Sequence, residues 1–198
     1  MSTSNTLRVA LAQTCPLNAG ISYPTRNEDP FETLRANLAD CTDFVKKAKE
    51  GGAEVVCFAE YYLQGILNDG RQVSCFLLGR NRAQWKYLSL PSRYMEECIA
   101  DLARKYEIAI TGTIVHGTST SLPTIPDLNP FVEQSGDATT KWSEYFQQIQ
   151  SEMTNTDHLT LLNEAFFYDS TGKRRGTYCK KNLWHPERYV PKLQLNRS

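Results

Sequence analysis

Two charged side chains that follow extended runs are the residues best placed to do chemistry. Glu60 comes directly after the compact apolar run 53–59. In open α/β sheets ligands bind beyond the carboxyl ends of strands, where partial burial would raise the pKa of a carboxyl and suit it to acid–base work. Lys180 and Lys181 close the last extended run. Because side chains alternate along a strand, one lysine points inward and needs a carboxylate such as Glu60 or Glu187.

Both features also have ordinary structural explanations. A carboxylate at the end of a strand is commonly an N-cap or loop residue. Two adjacent lysines on an edge strand commonly stay solvated and prevent pairing with another strand. Position alone favours these explanations, so the functional interpretation depends on the rest of the sequence.

The hydrophobic pattern of the first half predicts alternating strands and helices. Residues 7–13 alternate apolar and polar and predict a strand. A helix follows, with Asp29 as N-cap, Pro30 at its first position and a stop at Gly51-Gly52. Three more elements are predicted in chain order: a strand over 53–59, a helix marked by Met95, Cys98 and Leu102, and a strand over 108–115. This order is typical of an α/β layered domain.

The second half begins with a polar stretch over 118–157, too long for an ordinary connection. It contains apolar residues at helical spacing, which predict a short amphipathic helix: Trp142, Phe146, Ile149 and Met153. A hairpin follows, with strands over 161–168 and 175–180 around a turn at 169–172. Residues 189–198 show no periodicity and are interpreted as a tail outside the domain.

Composition limits the classes of function. A chain of 22.5 kDa fits one domain. Lys+Arg and Asp+Glu both number 22, so charge gives no reason to expect a nucleic acid or a membrane as partner. No apolar run approaches the roughly 18 residues that a bilayer span requires, and the N-terminus lacks the parts of a signal peptide. We therefore expect a soluble, cytoplasmic protein.

The cysteines and histidines do not predict a disulfide scaffold or a metal site. The six cysteines are widely spaced, without a Cys-x-x-Cys pair. His116, His158 and His185 are isolated in the sequence. We expect no metal and no cofactor, and we expect His116 and His185 to be ordinary polar residues.

Several blocks, taken together, resemble the carbon–nitrogen hydrolase (nitrilase) family. The resemblance extends over about 7–188, apart from the insertion at 118–157, and depends on the order and spacing of the blocks. They are 7–13 as the first strand, Phe58-Ala-Glu60 as the general-base block, 110–114 as the next strand, 163–172 as the start of the hairpin, and Tyr178-Cys-Lys180 as the lysine block. Alignment on tyrosine, any residue, lysine selects Lys180 rather than Lys181, and Glu187 resembles the second glutamate of some members.

The resemblance implies the N-terminal portion of an α-β-β-α sandwich, in which two sheets face each other between outer helices. Residues 1–198 would form a single partial domain, incomplete at its C-terminal side. Each sheet is then expected to keep an unprotected edge or an uncovered apolar face. Poor solubility or dependence on a partner would follow, and the resemblance by itself also allows a homo-oligomer.

The resemblance also implies a mechanism and a substrate class. Glu60 would take the proton of a cysteine thiol, the thiolate would attack a small nitrile, amide or carbamoyl compound, and Lys180 would stabilise the developing negative charge. The spacing from Lys180 to Glu187 leans toward nitriles.

None of the six cysteines is expected to be the nucleophile. Cys57 and Cys179 should face away from Glu60 and Lys180 by alternation, Cys41 and Cys98 lie on predicted helices, and Cys15 has no predicted place. The 198 residues alone are therefore expected to be inactive. They represent either a shortened form of an active hydrolase, or a non-catalytic remnant that binds an amide-like ligand or pairs with a full-length homologue.

Overall fold

The described residues form one mixed sheet with three helices. The computed structural model describes residues 6–14, 31–64, 89–119, 122–132, 136–154 and 159–181. In chain order the elements are β1 (Val9–Ala12), α1 (Glu32–Glu50), β2 (Val55–Phe58), α2 (Ser92–Tyr106), β3 (Ala109–Ser119), α3 (Gly136–Thr154), β4 (Leu159–Tyr168) and β5 (Arg174–Cys179). This architecture confirms the predicted α/β class.

The five strands are adjacent in the sheet in their sequence order. β1, β2 and β3 are parallel, and β3, β4 and β5 are antiparallel. Helices α1 and α2 lie in the two crossovers that parallel neighbours require. Of the two facing sheets that the resemblance implies, the described residues supply one.

Helix α1 is the predicted first helix, and it packs through one apolar stripe. Leu34, Cys41 and Val45 are at most 1% exposed, which places that stripe in the core. The helix begins at Glu32, with Phe31 in the N-cap position; the predicted cap at 29–30 lies outside the described residues. It ends at the predicted glycines, where φ is 77° at Gly52, in the left-handed region that glycine adopts at little cost.

Helix α3 lies inside the polar stretch predicted as an insertion and packs into the core. Trp142 is fully buried, and its ring contacts Phe31, Tyr94 and Phe146 at centroid distances of 5.4, 6.1 and 5.5 Å. Phe31 precedes α1 and Tyr94 lies in the first turn of α2, so α3 joins the starts of the other two helices. Strand β3 also extends to Ser119, beyond its predicted end at 115, because its pairing with β4 continues that far.

The two faces of the sheet differ in burial. One face carries Phe58, Ile110 and Phe166, which are buried beneath the helices. The other carries large apolar side chains that are 37–77% exposed, and we call it the open face: Val9, Leu11, Phe167 and Tyr178. These exposures agree with the expectation of an uncovered apolar face. Among the described helices, none combines the length and the apolar character needed to cross a bilayer.

Candidate active site

Glu60 and Lys180, 120 positions apart in the sequence, are in direct contact. Lys180 Nζ lies 2.6 Å from Glu60 Oε1. Glu60 follows β2 and Lys180 follows β5, so the two side chains meet across the intervening strands. The side chains are 39% and 26% exposed, which leaves the pair open to solvent on one side. The partner that an inward lysine needs is therefore Glu60.

Asn163 of β4 holds both members of this pair. Its side chain is buried, and Nδ2 donates to Glu60 Oε1 at 2.8 Å and to the Tyr61 hydroxyl at 3.2 Å. Its carbonyl oxygen accepts a hydrogen bond from the Lys180 backbone N–H at 2.8 Å. The Lys180 Nζ also lies 6.0 Å from the centre of the Tyr61 ring. Asn163 therefore fixes Glu60 through its side chain and Lys180 through its backbone.

The lysine that contacts Glu60 is the one that the alignment selects. Lys180 is half-buried, whereas Lys181 is exposed. Two other predicted residues, His185 and Glu187, lie outside the described residues.

The backbone turns sharply directly after Glu60. Tyr61 has φ of 60°, a left-handed conformation that is uncommon for a residue with a side chain and that concentrates at functional sites. Its N–H donates to Thr113 Oγ1 of β3 at 3.3 Å. The next residue, Tyr62, is buried and stacks on Phe58 with the ring centres 4.5 Å apart. The turn is thus fixed by a hydrogen bond to β3 and by packing of Tyr62 in the core.

Two buried side-chain amides fix the end of the same segment. Gln64 Nε2 donates to the carbonyl of Val115 at 2.9 Å, and the Val115 N–H donates to Gln64 Oε1 at 2.7 Å. Asn37 Nδ2 of α1 donates to the carbonyl of Leu63 at 2.8 Å. Residues 60–64 are therefore anchored to α1 and β3, so Glu60 starts from a rigid backbone. The signal in the sequence is weak: two amide residues among apolar neighbours.

One cysteine, Cys57, lies on a different face of the sheet from the one predicted. Cys57 pairs in register with Thr111, and alternation along β3 and β4 puts both on the same face of the sheet as Asn163. The expectation that Cys57 faces away from the site was wrong, because β2 ends at Phe58 and strict alternation does not continue to Glu60.

The other described thiols lie where they were predicted. Cys179 pairs with Glu164, on the face opposite Asn163. Burial raises the pKa of Cys57, and burial together with Glu164 raises that of Cys179. On the helices, burial raises the pKa of Cys41 to about 12 and that of Cys98 to about 11. Cys15 and Cys75 lie outside the described residues.

A second polar cluster lies on the helix-covered face. Its members are Glu96 of α2, His116 of β3, Glu164 of β4 and Arg174 of β5. His116 Nε2 lies 3.5 Å from Glu96 Oε1 and 3.3 Å from Glu164 Oε2. Arg174 contacts Glu96 at 3.2 Å and Glu164 at 2.8 Å. The sequence does not predict this cluster, because its members come together only through strand register and the packing of α2 on the sheet.

Comparison with known proteins identifies the family. The sequence model of the carbon–nitrogen hydrolase family matches residues 8–198. The chain belongs to this family. The resemblance carried by the blocks around Glu60 and Lys180 is thereby confirmed at the level of the family. No match to this chain was found among curated proteins.

Solved structures agree with this carbon–nitrogen hydrolase fold at low sequence identity. An amidase from Nesterenkonia sp. aligns with a TM-score of 0.54 and 15% identity, over 94% of this chain and 47% of its own. A double mutant of the amidase from Nesterenkonia sp. AN1 in complex with acrylamide gives 0.55 and 14%, over 98% and 50%. A carbon–nitrogen hydrolase from Helicobacter pylori G27 gives 0.50 and 10%, over 96% and 45%. The chain therefore spans about half the length of these relatives.

Proposed function

We propose that this chain supplies the general base, Glu60, and the charge-stabilising lysine, Lys180, of a hydrolase that cleaves small amides or nitriles. The observation that carries the proposal is the 2.6 Å contact between the two side chains. Asn163, which bonds to both residues, supports it because a catalytic pair must be held in one geometry before substrate arrives.

The proposed reaction has two halves, the formation of a thioester and its hydrolysis. Glu60 takes the proton from a cysteine thiol, and the thiolate attacks the carbonyl carbon of the amide. Lys180 donates a hydrogen bond to the oxyanion of the tetrahedral intermediate. Glu60 then gives its proton to the leaving amine, and the C–N bond breaks to leave a thioester. Water, deprotonated by Glu60, hydrolyses the thioester and restores the thiol.

Small aliphatic amides are the substrates that we propose first. The Nesterenkonia amidase is described in complex with acrylamide and, in a second mutant, with butyramide. Those descriptions concern that protein; they support the same class of compound here because the folds agree. A homo-oligomer in the cytoplasm stays a prediction for this chain.

The attacking thiol is proposed to be a cysteine other than the six in this sequence. The four described thiols all have raised pKa values, and a thiol that stays protonated is a poor nucleophile. The same observation favours a second candidate function. Taken alone, the 198 residues would bind an amide-like ligand at the pair of Glu60 and Lys180, or pair with a full-length homologue, without catalysis.

The test measures binding and turnover on the same samples. Butyramide binding is followed by ligand-observed NMR, and ammonia release from butyramide, acrylamide and a matched nitrile is assayed in parallel. The variants are Glu60→Gln and Lys180→Met. The matched control is Lys181→Met, which removes an equal charge from the adjacent exposed position.

The outcomes separate the proposals. One outcome is that the chain binds butyramide but releases no ammonia, and that both site variants lose binding while Lys181→Met retains it. This outcome supports the site, and it supports a thiol outside the six cysteines as the nucleophile. Ammonia release by the chain itself, reduced about 10²–10³-fold by Lys180→Met as for loss of one oxyanion donor, supports the catalytic pair. It also refutes the proposal that the attacking thiol is not one of the six cysteines. Binding that is equal in Lys180→Met and Lys181→Met refutes the site.

A further inference from the structure

We propose that Glu96, His116 and Glu164 form a binding site for a divalent transition-metal ion, with Zn²⁺ as the best-matched ion. The site lies on the helix-covered face of the sheet. Glu164 and Asn163 are consecutive on β4 and therefore point to opposite faces, so this site is separate from the pair of Glu60 and Lys180. The proposal does not depend on the proposed hydrolase chemistry.

The spacing of the ligand atoms matches zinc coordination. With Zn–N and Zn–O bonds near 2.0–2.1 Å, neighbouring ligands of a tetrahedral site lie about 3.3 Å apart. His116 Nε2 lies 3.5 Å from Glu96 Oε1 and 3.3 Å from Glu164 Oε2. One ligand atom from each of the three residues lies within 4.8 Å of the others, so a small rotation of one carboxylate completes the geometry. One imidazole and two carboxylates are a ligand set that zinc accepts.

Two of these ligand atoms have no hydrogen-bond partner among the described residues. Glu96 Oε1 and His116 Nε2 are both buried, and no hydrogen bond is formed to either atom in that part of the chain. Buried polar atoms almost always have a partner, and leaving one unsatisfied costs about 1–3 kcal/mol. A metal ion between the two atoms would satisfy both at once, with the His116 proton on Nδ1.

The charge of the cluster suits a cation. Two carboxylates face one guanidinium, so with neutral His116 the cluster carries a net negative charge.

Arg174 would act outside the coordination sphere. Its Nη1 contacts Glu96 Oε2, whereas the unpartnered oxygen of the same carboxylate is Oε1. Its Nη2 contacts Glu164 Oε2 and Thr177 Oγ1. Hydrogen bonds of this kind orient ligating carboxylates in metal sites. The consequence of binding would be structural, since one ion would join α2 to β3 and β4.

The experiment titrates the purified chain with Zn²⁺ by calorimetry and with Co²⁺ by visible absorption. We expect one ion per chain, the intense visible bands of four-coordinate Co²⁺, and a higher unfolding midpoint with Zn²⁺ than with EDTA. Glu96→Gln, His116→Gln and Glu164→Gln should each weaken binding at least about tenfold, since changes even in the outer shell cost 10–100-fold.

Controls match each substitution by type. Glu97→Gln changes the neighbouring glutamate of α2, which is exposed and pairs with Arg93, and His185→Gln removes a histidine elsewhere in the sequence. Both should bind as the unmodified chain does. Unfolding midpoints in EDTA and far-UV circular dichroism establish that each variant is folded, and three independent ligand variants keep the test valid if one of them is not.

Two results would overturn the site. One is equal affinity of Glu96→Gln and Glu97→Gln for Zn²⁺. The other is sulfur in the first shell by X-ray absorption at the zinc edge, which would assign binding to the cysteines. A first shell of nitrogen and oxygen alone, lost together with His116, supports the proposal.

Discussion

Asn163 shows how much of the candidate active site depends on one neutral side chain. Its side chain donates to Glu60 through Nδ2, whereas its backbone carbonyl accepts the hydrogen bond from the backbone N–H of Lys180. A side-chain amide suits this place because it donates to the Glu60 carboxylate without adding charge. A residue with a charge of either sign at this place would compete with Lys180 or repel Glu60.

Replacing Asn163 with aspartate tests this at the scale of the residue. Asn163→Asp exchanges a donor for a second carboxylate beside Glu60, and we expect the free energy of unfolding to fall by about 1–3 kcal/mol at pH 7. The repulsion raises the pKa of the introduced aspartate in the folded protein, and protonation of that group removes the repulsion, so the loss should shrink as the pH is lowered toward 4. Urea denaturation of both proteins across this range measures it. A loss of the same size at every pH would mean that only the missing donor matters.

At the scale of the element, the segment 60–64 depends on a glycine in β3. An ideal Cβ on Gly112 would lie 2.8 Å from Tyr62 Cε1 and 3.3 Å from Phe166 Cζ. The ring of Tyr62 therefore occupies the space that any other residue at 112 would fill. Glycine at 112 therefore allows the Tyr62 ring to pack directly on β3.

Gly112→Ala should move the Tyr62 ring and loosen this segment. We expect a loss of about 1–3 kcal/mol in the free energy of unfolding, as for overpacked cores. Gly176→Ala in β5 is the matched control because nothing lies within 4 Å of the Cβ it adds, and its effect should stay within about 0.5 kcal/mol. Chemical denaturation compares the two; equal losses would show that the contact with Tyr62 is not the cause.

At the scale of the whole molecule, the two faces of the sheet have opposite surroundings. Helices bury one face, while the open face exposes Leu11 by 77% and Tyr178 by 57%. Large exposed apolar patches in a folded protein mark contact surfaces or sites of aggregation. The purified chain should therefore associate with itself as its concentration rises.

Charge on the open face should reduce this association. Leu11→Lys combined with Tyr178→Lys should shift the sedimentation profile toward the monomer and raise the solubility limit, with little effect on the unfolding midpoint. Val132→Lys changes a residue that is 51% exposed and lies outside the sheet, and it should leave association unchanged. An unmodified chain that stays monomeric at high concentration would contradict the expectation.

The elements could be predicted because their signals are local. Apolar residues that recur every 3.6 residues predicted α1, and apolar residues that recur every second residue predicted β4. The apolar spacing around Trp142 predicted α3 inside a polar stretch. The cost of burying an unpaired lysine predicts that Lys180 needs a carboxylate partner, but it does not by itself choose between Glu60 and Glu187.

What could not be predicted depends on register between distant segments. His116 comes near Glu164 because it pairs with Leu162 across β3 and β4, and neither segment contains this information by itself. The orientation of Cys57 was mispredicted for a related reason, since the end of β2 is set by its parallel neighbours.

The pairing of Gln64 with Val115 has a consequence for assembly. Strand β2 accompanies β3 only as far as Thr111, whereas β3 continues to Ser119. Beyond that point one flank of β3 offers backbone groups that an extended peptide from another molecule would match. The amide of Gln64 occupies the N–H and the carbonyl of Val115 together. The Gln64 side chain thus takes the hydrogen bonds that a neighbouring strand would form with Val115. This ends the ladder at Val115 and hinders strand addition by another molecule.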